Sequence, residues 1–342
     1  MKKQTLCLIF GGNSREYFVS LRSCACILKH IDREKYRILK IGITRDGKWY
    51  FYMGDENKIE EDTWEKYEKY PVYASLTTGE LTYFNKETVR VRPDIVFPII
   101  HGDYGEDGRL RGVFDAMGLK CVGCSAESGA ITVNKYLTKL ICKDIGVPVA
   151  DFFLLRKRDL SHKESIFKKG RTLGYPLFIK AVCLGSSIGI YRVKNEDELL
   201  SKIETALGYS DSVLMEKEIK GTETEIAILS VNGEIRLGKI GQIRHRGDFY
   251  SYFEKYEGKD TELIVPARIS PECERRIRDY AKRVFTGAGC CGMCRADFFV
   301  TENEEVIFNE VNTVPGFTSG SMYPILMSDN GNIRSLIDLI CL

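Results

Sequence analysis

The residues best equipped for chemistry gather near the C-terminal end, in the stretch MCRADFFVTENEEVIFNEVNT. Two strand-like runs, 292–300 and 305–311, flank the polar segment TENEE and predict a hairpin. Residues i and i+2 share a face of a strand. Arg295 and Asp297 therefore point one way, and Glu310 and Asn312 do the same on the partner strand. A turn centred on Glu302-Asn303 sets Arg295 opposite Glu310, with Asp297 one diagonal step away. Asp297, Glu310 and Asn312 then offer three hard oxygen donors beside a guanidinium. Mg²⁺ takes such donors and completes its octahedron with substrate phosphate. An ordinary cross-strand salt-bridge face has the same pattern. The loop that follows, Asn-Thr-Val-Pro-Gly-Phe-Thr-Ser, is rich in small residues and backbone donors, which favours the binding reading.

A second feature is LGSSIG, residues 184–189. Glycine and serine present N–H groups and hydroxyls to phosphate without Cβ obstruction. The segment lacks the Gly-Lys-Ser/Thr of a Walker A loop, and strand formers follow it. It reads as a hairpin flap, with Lys180 on the incoming strand; a plain surface hairpin would look alike. A third feature is VLMEKEIKG from Val213, an apolar strand ending in Glu216-Lys217-Glu218-Ile219. Such a linker presents backbone groups to an adenine edge, or is a simple edge strand. His101 follows the apolar run 94–100, at the carboxyl end of a strand where ligands of α/β sheets sit. Two Cys-x-x-Cys pairs, Cys121/Cys124 and Cys291/Cys294, lie far apart, whereas zinc ribbons place theirs about 15–20 residues apart. They read as packed strand and turn cysteines.

These groups need a scaffold. Strand and helix signals alternate through residues 1–123: strands near 6–10, 36–44, 48–52, 94–100 and 120–123, and helices near 15–31 and 110–117. This predicts an α/β domain with a parallel sheet. The run DENKIEEDTWEKYEKY reads as a solvated loop or helix surface. A central unit, 124–212, opens with one helix over 125–144, stopped by Gly146-Val147-Pro148. Asn195 and Glu198 form a capping box for a helix ending at Gly208. The last unit, 213–342, is mostly strands, with a hairpin at Asn232-Gly233 and a helix over 271–288.

The chain has 342 residues, 44% hydrophobic and 29% charged, with 50 Lys+Arg against 48 Asp+Glu. That balance speaks against a dedicated nucleic-acid or membrane-surface binder. No apolar run approaches the ~18 residues of a spanning helix, and the first apolar run breaks at Gly11-Gly12 without a cleavage site. The expected location is the cytoplasm.

Together these segments resemble the D-alanine–D-alanine ligase family of the ATP-grasp superfamily, nearly end to end. GGNSREYFVS looks like GGxSxEHEVS, HGDYGEDGRLRG like HGxxGEDGxxQG, and YPLFIKAVCLGSSIGI like YPLFVKPxxxGSSxGI. FYSYFEKY, RADFF and NEVNTVPGFTSGSMYP resemble FYDYxxKY, RxDFF and NExNTxPGFTxxSxYP. Six ordered motifs are far more specific than one Gly-rich loop.

The resemblance implies an ATP-grasp fold: an N-terminal parallel-sheet domain and two α+β subdomains clasping ATP. It implies ATP-driven joining of two D-alanines through an acyl phosphate, for peptidoglycan synthesis. Glu16 would pair with the first ammonium, and Ser186 and Tyr256 would join it in a triad holding the closed state. Arg295 and the Gly316 N–H would form the oxyanion hole, with Ser321 and Lys255 near the second substrate and the phosphoryl group. His101 would lie near the first substrate and Met322 in the second-substrate site. Lys135, Lys180 and Ser187 would bind phosphates; Glu216, Lys217, Ile219 and Glu223 would meet adenine and ribose. Asp297, Glu310 and Asn312 would hold two Mg²⁺, with Mn²⁺ as a substitute, and the assembly would be a homodimer. The chain departs from the family at Tyr17-Phe18, Asn134, Ala181 and Ser251. The second substrate stays open between D-alanine and D-serine, the latter as in vancomycin-resistance members. A catalytically silent nucleotide-binding protein is a third reading.

Overall fold

The structure is a computed structural model that describes residues 2–185, 188–244 and 262–342. Ser186, Ser187, Ser251, Lys255 and Tyr256 lie outside the described residues.

The first sheet has the order β4-β3-β2-β1-β8, from β1 (Gln4–Gly11), β2 (Tyr36–Ile43), β3 (Trp49–Tyr52), β4 (Lys69–Pro71) and β8 (Ile95–Pro98). β1 runs parallel to β2 and β8, while β3 and β4 add antiparallel. Seven of the eight β1 residues are buried, as a central parallel strand covered on both faces requires. The expected strand at 120–123 is reduced to one parallel bridge, Val96 to Cys121. A small sheet, β5 (Tyr73–Ala74), β6 (Leu81–Asn85) and β7 (Glu87–Val91), flanks this unit. Helices α1 (Tyr17–His30), α2 (Asn57–Glu60) and α3 (Arg109–Ala116) complete it. The charged run around α2 is not simply a solvated face. Its Ile59 and Trp64 are fully buried, and the Trp64 indole N–H donates to Tyr17 Oη at 2.8 Å.

The expected single helix over 125–144 is two, α4 (Ala126–Val133) and α5 (Lys135–Asp144). Asn134 between them has φ −87° and ψ 95°, outside helical geometry, and its side chain caps α5 by accepting from Leu137 N–H. Asparagine suits that competition with the helix backbone. The second sheet is antiparallel, in the order β11-β10-β12-β9, from β9 (Phe152–Arg156), β10 (Leu177–Ala181), β11 (Ile190–Val193) and β12 (Ser212–Lys217). Helices α6 (Lys163–Leu173) and α7 (Glu196–Leu207) pack on it; Asn195 caps α7, and Glu198 accepts from Lys194 N–H. Thus β12, placed by the sequence in the last unit, hydrogen-bonds into the middle sheet.

The third sheet is β15-β14-β13-β16-β17: β13 (Thr222–Val231), β14 (Glu234–Arg244), β15 (Glu262–Ile264), β16 (Met293–Val300) and β17 (Val306–Asn312). Asn232 (φ 51°) and Gly233 (φ 84°) form the left-handed turn between β13 and β14. Helix α8 (Pro271–Gly287), capped by Ser270, lays Cys273, Ile277, Ala281 and Val284 on this sheet. Helices α9 (Met322–Met327) and α10 (Ile333–Ile340) end the chain. One apolar core runs from β1 and α1 through β13 and the 314–317 loop to α9 and α10. It fixes the first and third sheets against each other. Among the described residues no helix is long and apolar enough to cross a membrane.

Candidate active site

Strand ends and loops of all three layers converge on one cleft. From the first layer come Ser14, Arg15, Glu16, Gly102, Asp103 and Glu106. Lys135 enters from the start of α5, and Leu184, Gly185 and Ile188 from the flap. Glu310 and Asn312 enter from β17. The carboxylate-bearing strand, the flap and Glu16 therefore face a common open space.

Ser14, the Glu16 backbone and Lys135 are held locally. Glu16 sits at the N-cap position of α1; its N–H donates to Ser14 Oγ at 3.1 Å, and Ser14 Oγ donates to the His101 carbonyl at 2.6 Å. Gly102 sits at φ 68°, a left-handed conformation that favours glycine, and a Cβ there would lie 2.5 Å from Glu16 Oε2. The Lys135 ammonium donates to the Leu184 carbonyl at the flap root and lies 3.6 Å from Glu310. Thus Lys135 ties the flap to β17.

The β16–β17 register differs from the sequence expectation. Arg295 pairs with Asn312, and Asp297 pairs directly with Glu310. The physical reason is a longer turn, with Glu304 at φ 60°, plus a bulge between Asp297 and Phe298 on the pairing ladder. A bulge sets two residues of one strand opposite one of the other. Here it frees Asn309, whose Oδ1 accepts from Lys180 Nζ at 3.4 Å. Two carboxylates now stand opposite each other, and Asn312 Nδ2 lies 3.4 Å from Asp297 Oδ2. Arg295 grips Asp297 with two bonds of 2.8 and 2.7 Å and pairs with Glu225 at 2.9 Å. Burial works against the Arg295 charge, but Asp297 and Glu225 outweigh it and hold the guanidinium firmly protonated. Among the described residues no three His, Cys, Asp or Glu side chains form a ready metal cage. Two carboxylates and an amide oxygen still form a hard donor set, which fits Mg²⁺ with water and phosphate as further ligands.

A second ionic group lies in the middle layer. Glu216 is 3% exposed and bridges Lys180 Nζ at 2.7 Å and Lys139 Nζ at 3.0 Å. Burial raises the Glu216 carboxyl, but the two ammonium groups outweigh it and hold it below the usual carboxylate range. The Glu216 side chain thus bridges two lysines. Lys217 is exposed, and Ile219 and Glu223 are half-buried on the same connection.

Ser321 accepts from Thr318 N–H at 3.0 Å, and a Cβ on Gly316 would lie 3.1 Å from its Oγ. This places Gly316 and Ser321 together beyond β17. His101 is 2% exposed, and both its ring nitrogens bond protein atoms, Val314 O and Ser23 Oγ. Met322 is buried in the apolar core, where Gly241 makes room for its sulfur. Neither is among the described residues that line the cleft.

Sequence reasoning missed Glu106, Glu225, Lys139 and Asn309. Burial, then Glu16 and Glu310, push the Glu106 carboxyl up to about 8. Glu225 carried a signal, since TETE puts Glu223 and Glu225 on one strand face. Lys139 follows Lys135 by one helical turn. Asn309 carried none, because alternation turns it away from Glu310 unless a bulge intervenes. The cysteine pairs do meet: Cys124 Sγ donates to the Cys291 carbonyl at 2.9 Å. Their thiols bond backbone oxygens, as packed cysteines do.

Comparison with known proteins agrees with this layout. Residues 5–124 match the model for the D-ala D-ala ligase N-terminus, and residues 141–341 that for its C-terminus. D-alanine–D-alanine ligase B of Clostridium tetani is 40% identical over 341 residues, covering 99% of this chain and 92% of its own. The D-alanine–D-alanine ligase of Clostridium novyi is 39% identical over 332 residues, covering 96% and 94%. Among solved structures, the VanG D-Ala:D-Ser ligase from Enterococcus faecalis has a TM-score of 0.89 at 36% identity, covering 99% of this chain and 100% of its own. The D-alanine–D-alanine ligase from Coxiella burnetii has a TM-score of 0.85 at 30% identity, covering 100% and 94%. The chain belongs to the D-alanine–D-alanine ligase family and carries its ATP-grasp fold.

Proposed function

We propose that the chain is an ATP-dependent D-alanine–D-alanine ligase that makes a peptidoglycan precursor dipeptide. The observation that carries this reading is the single cleft onto which Glu16, Lys135, the flap, Glu310 and Asn312 all open. ATP phosphorylates the carboxylate of the first D-alanine. The amine of the second attacks the resulting acyl phosphate, and phosphate leaves from the tetrahedral intermediate. Such a reaction needs little covalent help; positioning and stabilisation of developing negative charge supply the rate.

The chain's residues divide that work. Glu16 holds the ammonium of the first D-alanine. Lys135 and Lys180 bind phosphate oxygens, with Lys180 kept charged and oriented by Glu216 and Asn309. Arg295, fixed by Asp297 and Glu225, and the Gly316 N–H face the oxygen that becomes negative. Asp297, Glu310 and Asn312 would hold two Mg²⁺, which would neutralise charge on the phosphoryl group; Mn²⁺ is the substitute expected. Lys217, Ile219 and Glu223 take the adenosine end. Ser186 and Tyr256 keep the closing role, Ser187 the phosphate-binding role, and Lys255 the place near the second substrate and the phosphoryl group, that the family resemblance gives them. Ser321 braces the Gly316 loop. A homodimer acting in the cytoplasm completes the proposal.

A D-alanine–D-serine ligase is the second reading, favoured by the close likeness to the VanG structure. The purified chain should be supplied with MgATP, D-alanine and D-serine together. Mass spectrometry of the product is expected to give D-alanyl-D-alanine in excess. A dominant D-alanyl-D-serine mass would transfer the chain to the second reading, and nucleotide binding without any dipeptide would end both.

A further inference from the structure

Beneath the cleft lies a buried hydrogen-bond relay that the reaction above does not use. His101 Nδ1 is 2.7 Å from the Val314 carbonyl, which accepts and cannot donate, so Nδ1 carries the proton. In the neutral ring Nε2 is then an acceptor, and it takes the Ser23 hydroxyl proton at 3.0 Å. Ser23 Oγ accepts in turn from Phe317 N–H at 3.1 Å. Burial holds His101 below the ordinary histidine value despite Glu16 and the Val314 carbonyl, which keeps the ring neutral.

The placement of these bonds is informative. Val314 C=O and Phe317 N–H bracket Pro315-Gly316, in the loop that leaves β17 just after Asn312. Pro315 has no N–H of its own to anchor. The bracketing groups end on Ser23 of α1 and on the ring of His101 after β8. The His101 carbonyl also receives Ser14, two residues before Glu16. One small buried unit thus fixes both the loop leading to Glu16 and the loop carrying Gly316.

We propose that Ser23 and His101 are positioning residues that clamp the 313–317 loop, so that Gly316 keeps a fixed place relative to Glu16. Both side chains are buried. The catalytic consequence rests on the ligase reading; the holding of the loop does not.

The test uses the full chain with Ser23→Ala, His101→Asn and both together. Asparagine keeps an N–H near the Nδ1 position, so His101→Asn spares the Val314 bond and guards against a Ser23→Ala chain that fails to fold. Amide hydrogen exchange over 313–318 is expected to quicken at least about tenfold in Ser23→Ala, with α8 peptides unchanged. The kcat should fall about 10–100-fold while KM for ATP stays within about twofold, the double variant being no worse than the worse single. Parent-like exchange over 313–318, equal loosening everywhere, or fully multiplicative losses would overturn the clamp. If the parent makes no dipeptide, the ligase reading fails, and the exchange result still decides the clamp.

Discussion

Buried charge decides much at the scale of single residues. Glu216 lies between Lys139 and Lys180 with almost no solvent contact. Removing one member of a buried ionic set leaves uncompensated charge, at a cost of about 3–5 kcal/mol. Glu216→Gln is therefore expected to lower stability by about that much, read as the midpoint of urea unfolding. A loss under about 1 kcal/mol would mean the two lysines find other partners. His101 supplies a pH signature. Its folded pKa lies below the ordinary histidine value through burial, opposed by Glu16 and the Val314 carbonyl. The stability it contributes is complete above the ordinary value of about 6.5 and declines as pH falls through it, because the unfolded chain takes the proton first. Thermal melts between pH 7.5 and 5.5 should show a shallower decline for His101→Asn than for the parent. At this scale the sequence was partly legible. Glu16, Lys135, Glu310 and Asn312 were nameable from motif and alternation. Glu225 was nameable from TETE but passed over. Asn309 was not, because a register bulge is set by turn geometry and strand packing.

Among elements, punctuation matters more than periodicity. The α4–α5 region reads as one helix because its apolar residues keep a helical spacing throughout. Asn134 breaks it, caps α5 and so presents Lys135 to the flap root. Asn134→Ala is expected to cost about 1 kcal/mol of stability and to weaken ATP binding severalfold, measured by calorimetry. Unchanged binding would separate the cap from the phosphate site. The segment 55–70 shows the opposite failure: its charge hid a core residue. Trp64 packs edge-on against Phe10 at 5.2 Å and Tyr52 at 5.8 Å. Trp64→Ala should cost about 3–5 kcal/mol, and a loss below about 1 kcal/mol would show that the core closes over the gap. The β13–β14 turn was legible because Asn-Gly carries its own backbone geometry.

For the whole molecule, the site exists because three sheets end at one place. The order of motifs along the chain announced this fold, but no local pattern told that β12 joins the middle sheet or that the 314–317 loop locks into the core of the first. Those follow from long-range packing. The cleft between Glu16 and Glu310 is where ATP-driven joining of D-alanine is proposed to occur. Phosphate release by the purified chain tests it most directly, measured with and without D-alanine and in Glu310→Gln, which keeps side-chain shape while removing a charge. Release is expected to depend on D-alanine and to fall at least about 100-fold in Glu310→Gln with the fold intact by circular dichroism. Rapid release without D-alanine, or a Glu310→Gln chain as active as the parent, would contradict it.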